Sequence, residues 1–304
     1  TVDVRAATTG TSYGERVTLR LLEKERAFIP LDQLGFLPES LERYTEMLKS
    51  SFGMILIGGP TGSGKTTTLY ASIARLDRET RNIMTLEDPV EYRFEDITQV
   101  QINPKAGITF ASGLRAFMRH DPDIIMVGEI RDGETANMAA QAALTGHLLL
   151  SSIHANDSVS AIFRLIDLGV ERYLIAATLV GIVAQRMVRR VCPHCKAPYQ
   201  PSEEELRAYR AEMGEDEGVT FYVGQGCNMC HGTGYLGRTG VYETLVMSEE
   251  LRQMLIDDAS AGEMKAQALR EGLVTMRRDG MQKVKMGITT PAEVLRSVFS
   301  VGQR

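Results

Sequence analysis

Short, uniformly apolar runs recur along the first half of the chain. Met54-Ile55-Leu56-Ile57 ends in Gly58-Gly59, and similar runs follow at Ile83–Leu86, Ile124–Val127 and Leu148–Leu150. A run of this length bounded by turn residues is the pattern of a strand buried on both faces. The stretches between the runs have room for helices, Thr66 to Leu76 being one, and Leu41, Tyr44 and Leu48 recur at helical spacing within residues 37–50. Buried strands alternating with helices predict an α/β fold, a mostly parallel twisted sheet covered on both sides. Val17, Leu19 and Leu21 alternate with Thr18 and Arg20, which predicts a half-buried strand. The apolar run Tyr173 to Ala184 is shorter than the roughly 20 residues a bilayer span requires and reads as a buried helix.

The character changes after Arg190. Residues 191–247 are rich in Cys, Gly and Tyr, with one helix announced by the capping-box pattern Ser202-Glu203-Glu204-Glu205. From Ser248 the chain reads as helical. Ser260 with Glu263 forms another capping pattern that Gly272 can terminate, and Thr290-Pro291-Ala292-Glu293 offers a third with proline at the first helical position. The predicted organisation is therefore an N-terminal remnant and linker over 1–30, a core over 31–190, a cysteine-bearing subdomain over 191–247 and a helical subdomain over 248–304.

Composition narrows the function classes. At roughly 150 residues per domain, 304 residues make about two domains, and 43% hydrophobic with 24% charged residues excludes wholesale disorder. The net charge of −5 weighs against a protein that wraps duplex nucleic acid. Arg186, Arg189 and Arg190 form a local basic cluster, read as a solvated helix end or a domain contact. The start at Thr1, without a signal-like segment, reads as a cut from something longer.

The chemistry concentrates after the first apolar run. Gly59-Pro60-Thr61-Gly62-Ser63-Gly64-Lys65-Thr66 fits G-x-x-x-x-G-K-[ST] between a predicted strand and a predicted helix, and Thr67 continues the helix start. Such a loop turns backbone N–H groups onto phosphate oxygens, Lys65 supplies charge to the β- and γ-phosphates, and the Thr66 hydroxyl suits Mg²⁺. Carboxylates follow two other predicted strands: Glu129 after Ile124–Val127, and Glu87-Asp88-Pro89-Val90-Glu91. Gly128 stands where the usual magnesium motif carries aspartate. His147 and His154, two of only five histidines, bracket the run at 148–150, a placement that points to nucleotide sensing. Cys192-Pro193-His194-Cys195 and Cys227-Asn228-Met229-Cys230 are two C-x-x-C knuckles that together make a closed four-sulfur site, so a structural zinc ion is predicted. His194 and His231 are adjacent substitutes that four sulfurs do not need.

The phosphate loop Gly59–Leu69, the acidic box Leu86–Glu91, the segment Asp121–Asp132 and the histidine box Thr145–Asn156 occur in order. Together they resemble the secretion ATPase superfamily that drives type II secretion and type IV pilus assembly. The resemblance implies a RecA-like core and a cytoplasmic homo-hexamer at the inner membrane. In that family ATP lies between this core and a small α+β N-terminal domain, and the motor acts on an inner-membrane platform protein, with no direct nucleic-acid partner expected. It implies that Glu129, Glu87 and Glu91 organise Mg²⁺ and water, and that His147 and His154 respond to the γ-phosphate. Arg5 and Arg20 would be the arginines reaching toward the phosphates from the N-terminal side, with Arg16 a lesser candidate. Gly128 is ordinary in the family, and an intracellular location disfavours two disulfides over zinc. The tetracysteine module resembles that of assembly and secretion motors rather than retraction motors.

Overall fold

The computed structural model describes residues 2–23, 29–215 and 218–298, with the side chains of residues 2, 3, 5, 20, 22 and 23 outside the description. Strands β1 (Val2–Thr11) and β2 (Gly14–Glu23) form an antiparallel hairpin. The alternation at Val17, Leu19 and Leu21 is that of a strand, but these side chains are exposed rather than half-buried, because among the described residues no second layer packs on a two-stranded sheet.

Helix α1 (Pro38–Met47) leads into β3 (Gly53–Gly58), α2 (Lys65–Arg75), β4 (Ile83–Glu87), β5 (Thr98–Gln101), α3 (Phe110–Phe117), β6 (Ile124–Ile130), α4 (Gly133–Leu144) and β7 (Leu148–Ile153). The chain continues through α5 (Ser158–Asp167), α6 (Arg172–Thr178) and β8 (Leu179–Val191). A smaller antiparallel pair, β9 (Lys196–Pro198) and β10 (Tyr222–Gly224), flanks α7 (Glu203–Met213). Then come β11 (Tyr235–Val246), α8 (Glu249–Ile256), α9 (Ala261–Arg270), α10 (Met276–Lys285) and α11 (Pro291–Ser297).

Seven strands make one sheet in the order β11-β8-β3-β7-β6-β4-β5, parallel except for β11. Its middle strands are buried on both sides, as their unbroken apolar runs require. Alternate residues of β3 divide between two cores: Met54 and Leu56 pack with α3, α4, α5 and α6, while Ile55 and Ile57 pack with α1 and α2. A third core joins α7, α10 and α11 to Val188 and Val241 of the sheet.

Two expectations shift. The run Tyr173 to Ala184 is not one helix. It stops at Thr178, and Leu179 opens β8, where Gly181 lies so close to Met47 and to the Leu245 carbonyl that a side chain would not fit. The last part of 191–247 is β11, which pairs with β8 and so belongs to the central sheet. The capping boxes at Ser202 and Ser260 form with Glu205 and Glu263. At Thr290 only half of one forms, because the Glu293 carboxylate turns to Arg189 and Arg296 instead.

Candidate nucleotide site and cysteine cluster

In an open parallel sheet the ligand crevice lies beyond the carboxyl ends of the strands. Here those ends carry Gly59–Thr66 after β3, Glu87 at the end of β4, Glu129 near the end of β6 and His154 after β7. Gly64 caps α2 at φ 89, a left-handed conformation open to glycine, so the loop turns directly into the helix and aims the helix N-terminus into the crevice. The Lys65 Nζ donates to the carbonyls of Gly59 (2.9 Å) and Pro60 (3.0 Å), folding over the loop. The Ser63 hydroxyl is buried and has no hydrogen-bond partner among the described residues, while Thr61, Gly62, Thr66 and Thr67 are exposed at the mouth. Thr66 offers its hydroxyl at the first turn of α2, the donor expected for a magnesium ion held with phosphate oxygens.

Gln185 on β8 fastens this loop. Its buried amide donates to the Ser63 carbonyl (2.7 Å) and accepts from the Thr68 hydroxyl (2.8 Å). A Cβ at Gly59 would lie 2.7 Å from the Gln185 carbonyl, so glycine is needed there for strand and loop to approach. Nothing in the motif pattern points to Gln185; only the sheet order brings β8 beside β3.

Glu129 stands where the β6–β7 register shifts between Val127 and Ile130, an irregularity that re-aims the strand end. A Cβ at Gly128 would lie 3.3 Å from the Leu86 carbonyl, a tight contact with the neighbouring strand β4. The Glu129 carboxylate, mostly buried, pairs with Arg131 and lies 3.6 Å from the His154 Nε2. Burial raises its pKa, but the Arg131 hydrogen bond and the charges of Arg131, His154 and Lys65 outweigh that and hold it below the ordinary carboxylate value. Burial pulls the Lys65 ammonium below its ordinary pKa. The Glu129 carboxylate opposes that shift and the Arg186 guanidinium adds to it. Arg131 also reaches Asp88 at 3.6 Å, linking the ends of β6 and β4.

The remaining candidates divide. Glu87 is buried and its carboxylate accepts from the Tyr70, Thr85 (2.6 Å) and Gln99 (3.0 Å) side chains. It is thereby tied to the phosphate-loop helix through Tyr70, whose hydroxyl also takes the Glu91 backbone N–H at 3.2 Å; Glu91 itself is exposed. His147 stands apart from His154, preceding β7 at the amino end of that strand, with its Nδ1 2.8 Å from the Ala142 carbonyl. A six-residue strand separates it from His154, about 20 Å at about 3.3 Å per residue, so it does not reach this chain's own phosphate loop. Arg5 and Arg20 face each other in the hairpin register, but their side chains lie outside the described residues; Arg16 is exposed. The basic cluster stands on β8 rather than at a helix end. Arg189 binds Glu293 and stacks on Tyr235, Arg186 donates to Asn156, and Arg190 is exposed.

The four cysteines converge as the spacing implies. Cys192 follows β8, Cys195 precedes β9, and Cys227 and Cys230 bracket a tight turn before β11. All four Sγ atoms lie within 4.8 Å of one another, with Cys192–Cys227 at 3.9 Å, Cys195–Cys230 at 3.8 Å and Cys227–Cys230 at 3.7 Å. A tetrahedral zinc ion at about 2.3 Å from each sulfur gives edges of about 3.8 Å, so the donor set fits that ion. Burial raises the Cys230 pKa, but the N–H groups of Cys227 and Gly234 aimed at its sulfur bring it down to about 6, which favours the thiolate. Burial pushes the Cys195 thiol up to about 12, which a bound cation would reverse.

Residues 1–296 match the family described as Type II/IV secretion system protein. The chain belongs to that family. It is 48% identical over 294 residues to the type IV pilus assembly ATPase PilB of Thermus thermophilus, covering 97% of this chain and 33% of that protein. It is 47% identical to the type II secretion system protein E of Pseudomonas aeruginosa, covering 97% of this chain and 58% of the relative. The chain thus spans between a third and three-fifths of these relatives. The pilus retraction motor PilT solved with ADP superposes with TM-score 0.69 at 25% identity, over 96% of this chain and 73% of that one. The Legionella pneumophila ATPase DotB superposes with TM-score 0.70 at 22% identity, over 96% and 71%, a likeness of fold. The fold is therefore the PilT-like ATPase fold, with the cysteine cluster attached.

Proposed function

We propose that this chain is the catalytic part of a secretion-type motor that hydrolyses Mg-ATP. The observation that carries the reading is the ionised Glu129 carboxylate, held by Arg131 beside His154 and within the field of Lys65 at the mouth of the phosphate loop. In this reading Gly59 to Thr66 present backbone N–H groups to the nucleotide's phosphates, Lys65 leaves its two loop carbonyls for phosphate oxygens, and Ser63 gains a partner. Thr66 and Thr67 stand at the metal side, where magnesium neutralises charge on the phosphates. Glu129 orients and polarises the attacking water, and His154 follows the γ-phosphate. Glu87, held by three donors, positions the acidic box, and Glu91, exposed at the far end of that box, would act with Glu129 on water and metal. Arg5 and Arg20 would complete the site from the hairpin.

The same reading extends to the assembly: a homo-hexamer, cytoplasmic and peripheral to the inner membrane, driving a platform protein of a pilus or secretion system. PilB and protein E are named for those two systems. No helix among the described residues is long and apolar enough to cross a membrane. This reading has no direct nucleic-acid partner. The cysteine subdomain takes zinc as a structural ion.

Steady-state ATPase activity over a range of protein concentration, with Mg²⁺, compares the chain with Lys65→Ala. Specific activity that rises with concentration and vanishes in the variant supports a site completed between subunits. Activity that survives Lys65→Ala refutes the assignment of the loop.

A further inference from the structure

Arg186 is half-buried on β8, and the one hydrogen bond its guanidinium makes among the described residues is donated to a neutral acceptor, the Asn156 Oδ1 at 3.0 Å. Its neighbours differ: Arg131 is paired with Glu129 and Asp88, and Arg189 with Glu293. A partly desolvated cation with no counter-ion is costly, and it is a common feature of sites that receive an anion.

The sheet register locates this cation. β8 runs parallel to β3 with Ala184 opposite Gly58, so Arg186 lies two residues further on, alongside the start of the phosphate loop. Ala184 and Arg186 share a strand face. A Cβ built on Gly58 would touch both Ala184 and Ala155, so that face borders the segment after β7. Asn156 in that segment follows His154 by two residues, and the His154 imidazole is 3.6 Å from Glu129. The guanidinium therefore stands on the flank between Lys65 and the His154 segment. Its charge is felt at Lys65, and burial lowers its own pKa, as expected of a cation awaiting an anion.

We propose that Arg186 is a contact for the terminal phosphate of bound ATP, supplied by the same subunit, which exchanges its Asn156 hydrogen bond for phosphate oxygens. The inference rests on the ATP reading above and deepens it. A guanidinium offers two parallel N–H donors matched to phosphate, which an amide or ammonium does not reproduce. Because the Asn156 segment leads into α5 through its capping residue Asp157, that exchange would make the start of α5 responsive to whether the third phosphate is present.

The test is calorimetric titration of the chain with Mg-ATPγS and, separately, Mg-ADP, for the unaltered sequence, Arg186→Gln, Arg186→Lys and Asn156→Ala. Arg186→Gln should weaken ATPγS at least tenfold and ADP less than threefold, with Arg186→Lys between. Asn156→Ala should leave ATPγS binding unchanged or tighter, which keeps the idea testable should Arg186→Gln fail to fold. Equal losses for both nucleotides, no loss for either, or an Asn156→Ala loss as large as that of Arg186→Gln would overturn the proposal. An unaltered chain that binds neither nucleotide would instead overturn the ATP reading beneath it.

Discussion

Replacing Gln185 by leucine keeps a side chain of similar size but deletes both hydrogen bonds by which β8 grips the phosphate loop. The Ser63 carbonyl then loses a donor at 2.7 Å and the buried Thr68 hydroxyl an acceptor at 2.8 Å. Each buried group left unpaired costs about 1–3 kcal/mol, so folding stability should fall by about 2–6 kcal/mol before relaxation. Only the Ser63 bond lies within the loop itself. Its share, about 1–3 kcal/mol, falls on the phosphate-binding conformation and corresponds to a loss of ATP affinity of about 5- to 150-fold. Gln185→Glu separates the two bonds. Its carboxylate still accepts from Thr68 but cannot donate to Ser63, and it places negative charge beside the loop, so its affinity should be no better than that of Gln185→Leu. Urea unfolding and nucleotide titration read the two quantities. A Gln185→Leu chain with ATP affinity within twofold of the unaltered one, or a Gln185→Glu chain that binds normally, would show that the strand does not hold the loop.

Two further outcomes are open to simple measurement. Chelation of metal, or Cys192→Ser, should release a thiol-bound divalent ion and lower the unfolding temperature, because the free energy of binding the ion contributes directly to folding; unchanged unfolding after full chelation would contradict a structural metal site. Burial raises the pKa of Glu293, but its bonds to Arg296 and Arg189 bring it from 4.5 down to about 2. A depressed carboxylate contributes stability that is complete above its unfolded value and lost as pH falls toward the folded one. The chain should therefore lose stability more steeply between pH 5 and pH 3 than Glu293→Gln does, and parallel urea midpoints would refute this.

Much of the sheet is legible in the sequence because strands buried on both faces leave uninterrupted apolar runs, as at Met54–Ile57. The phosphate loop is legible because glycine, lysine and hydroxyl positions are fixed by close approach of backbone to phosphate. The cysteine site is legible because two knuckles can satisfy one tetrahedral ion only by converging. Gln185 and Arg186 were hidden for the opposite reason: their roles depend on β8 lying beside β3, a neighbour relation that no local pattern encodes. The run at 173–184 misleads because apolarity alone does not separate a buried helix from a buried strand. His147 and His154 look alike in the sequence because each borders one end of β7, whereas the two ends of a parallel sheet face different surroundings.

The Glu129 carboxylate is the centre of the proposed hydrolysis, and Glu129→Gln tests its role most directly. The substitution keeps the size of the side chain but removes the charge that Arg131, His154 and Lys65 stabilise. Single-turnover hydrolysis and ATP titration are measured on the same preparations. ATP affinity should stay within a few-fold of the unaltered chain and hydrolysis should slow about 10²- to 10⁴-fold, the range for loss of a positioned acid–base group. Hydrolysis at the unaltered rate would assign the water to another residue and contradict the account.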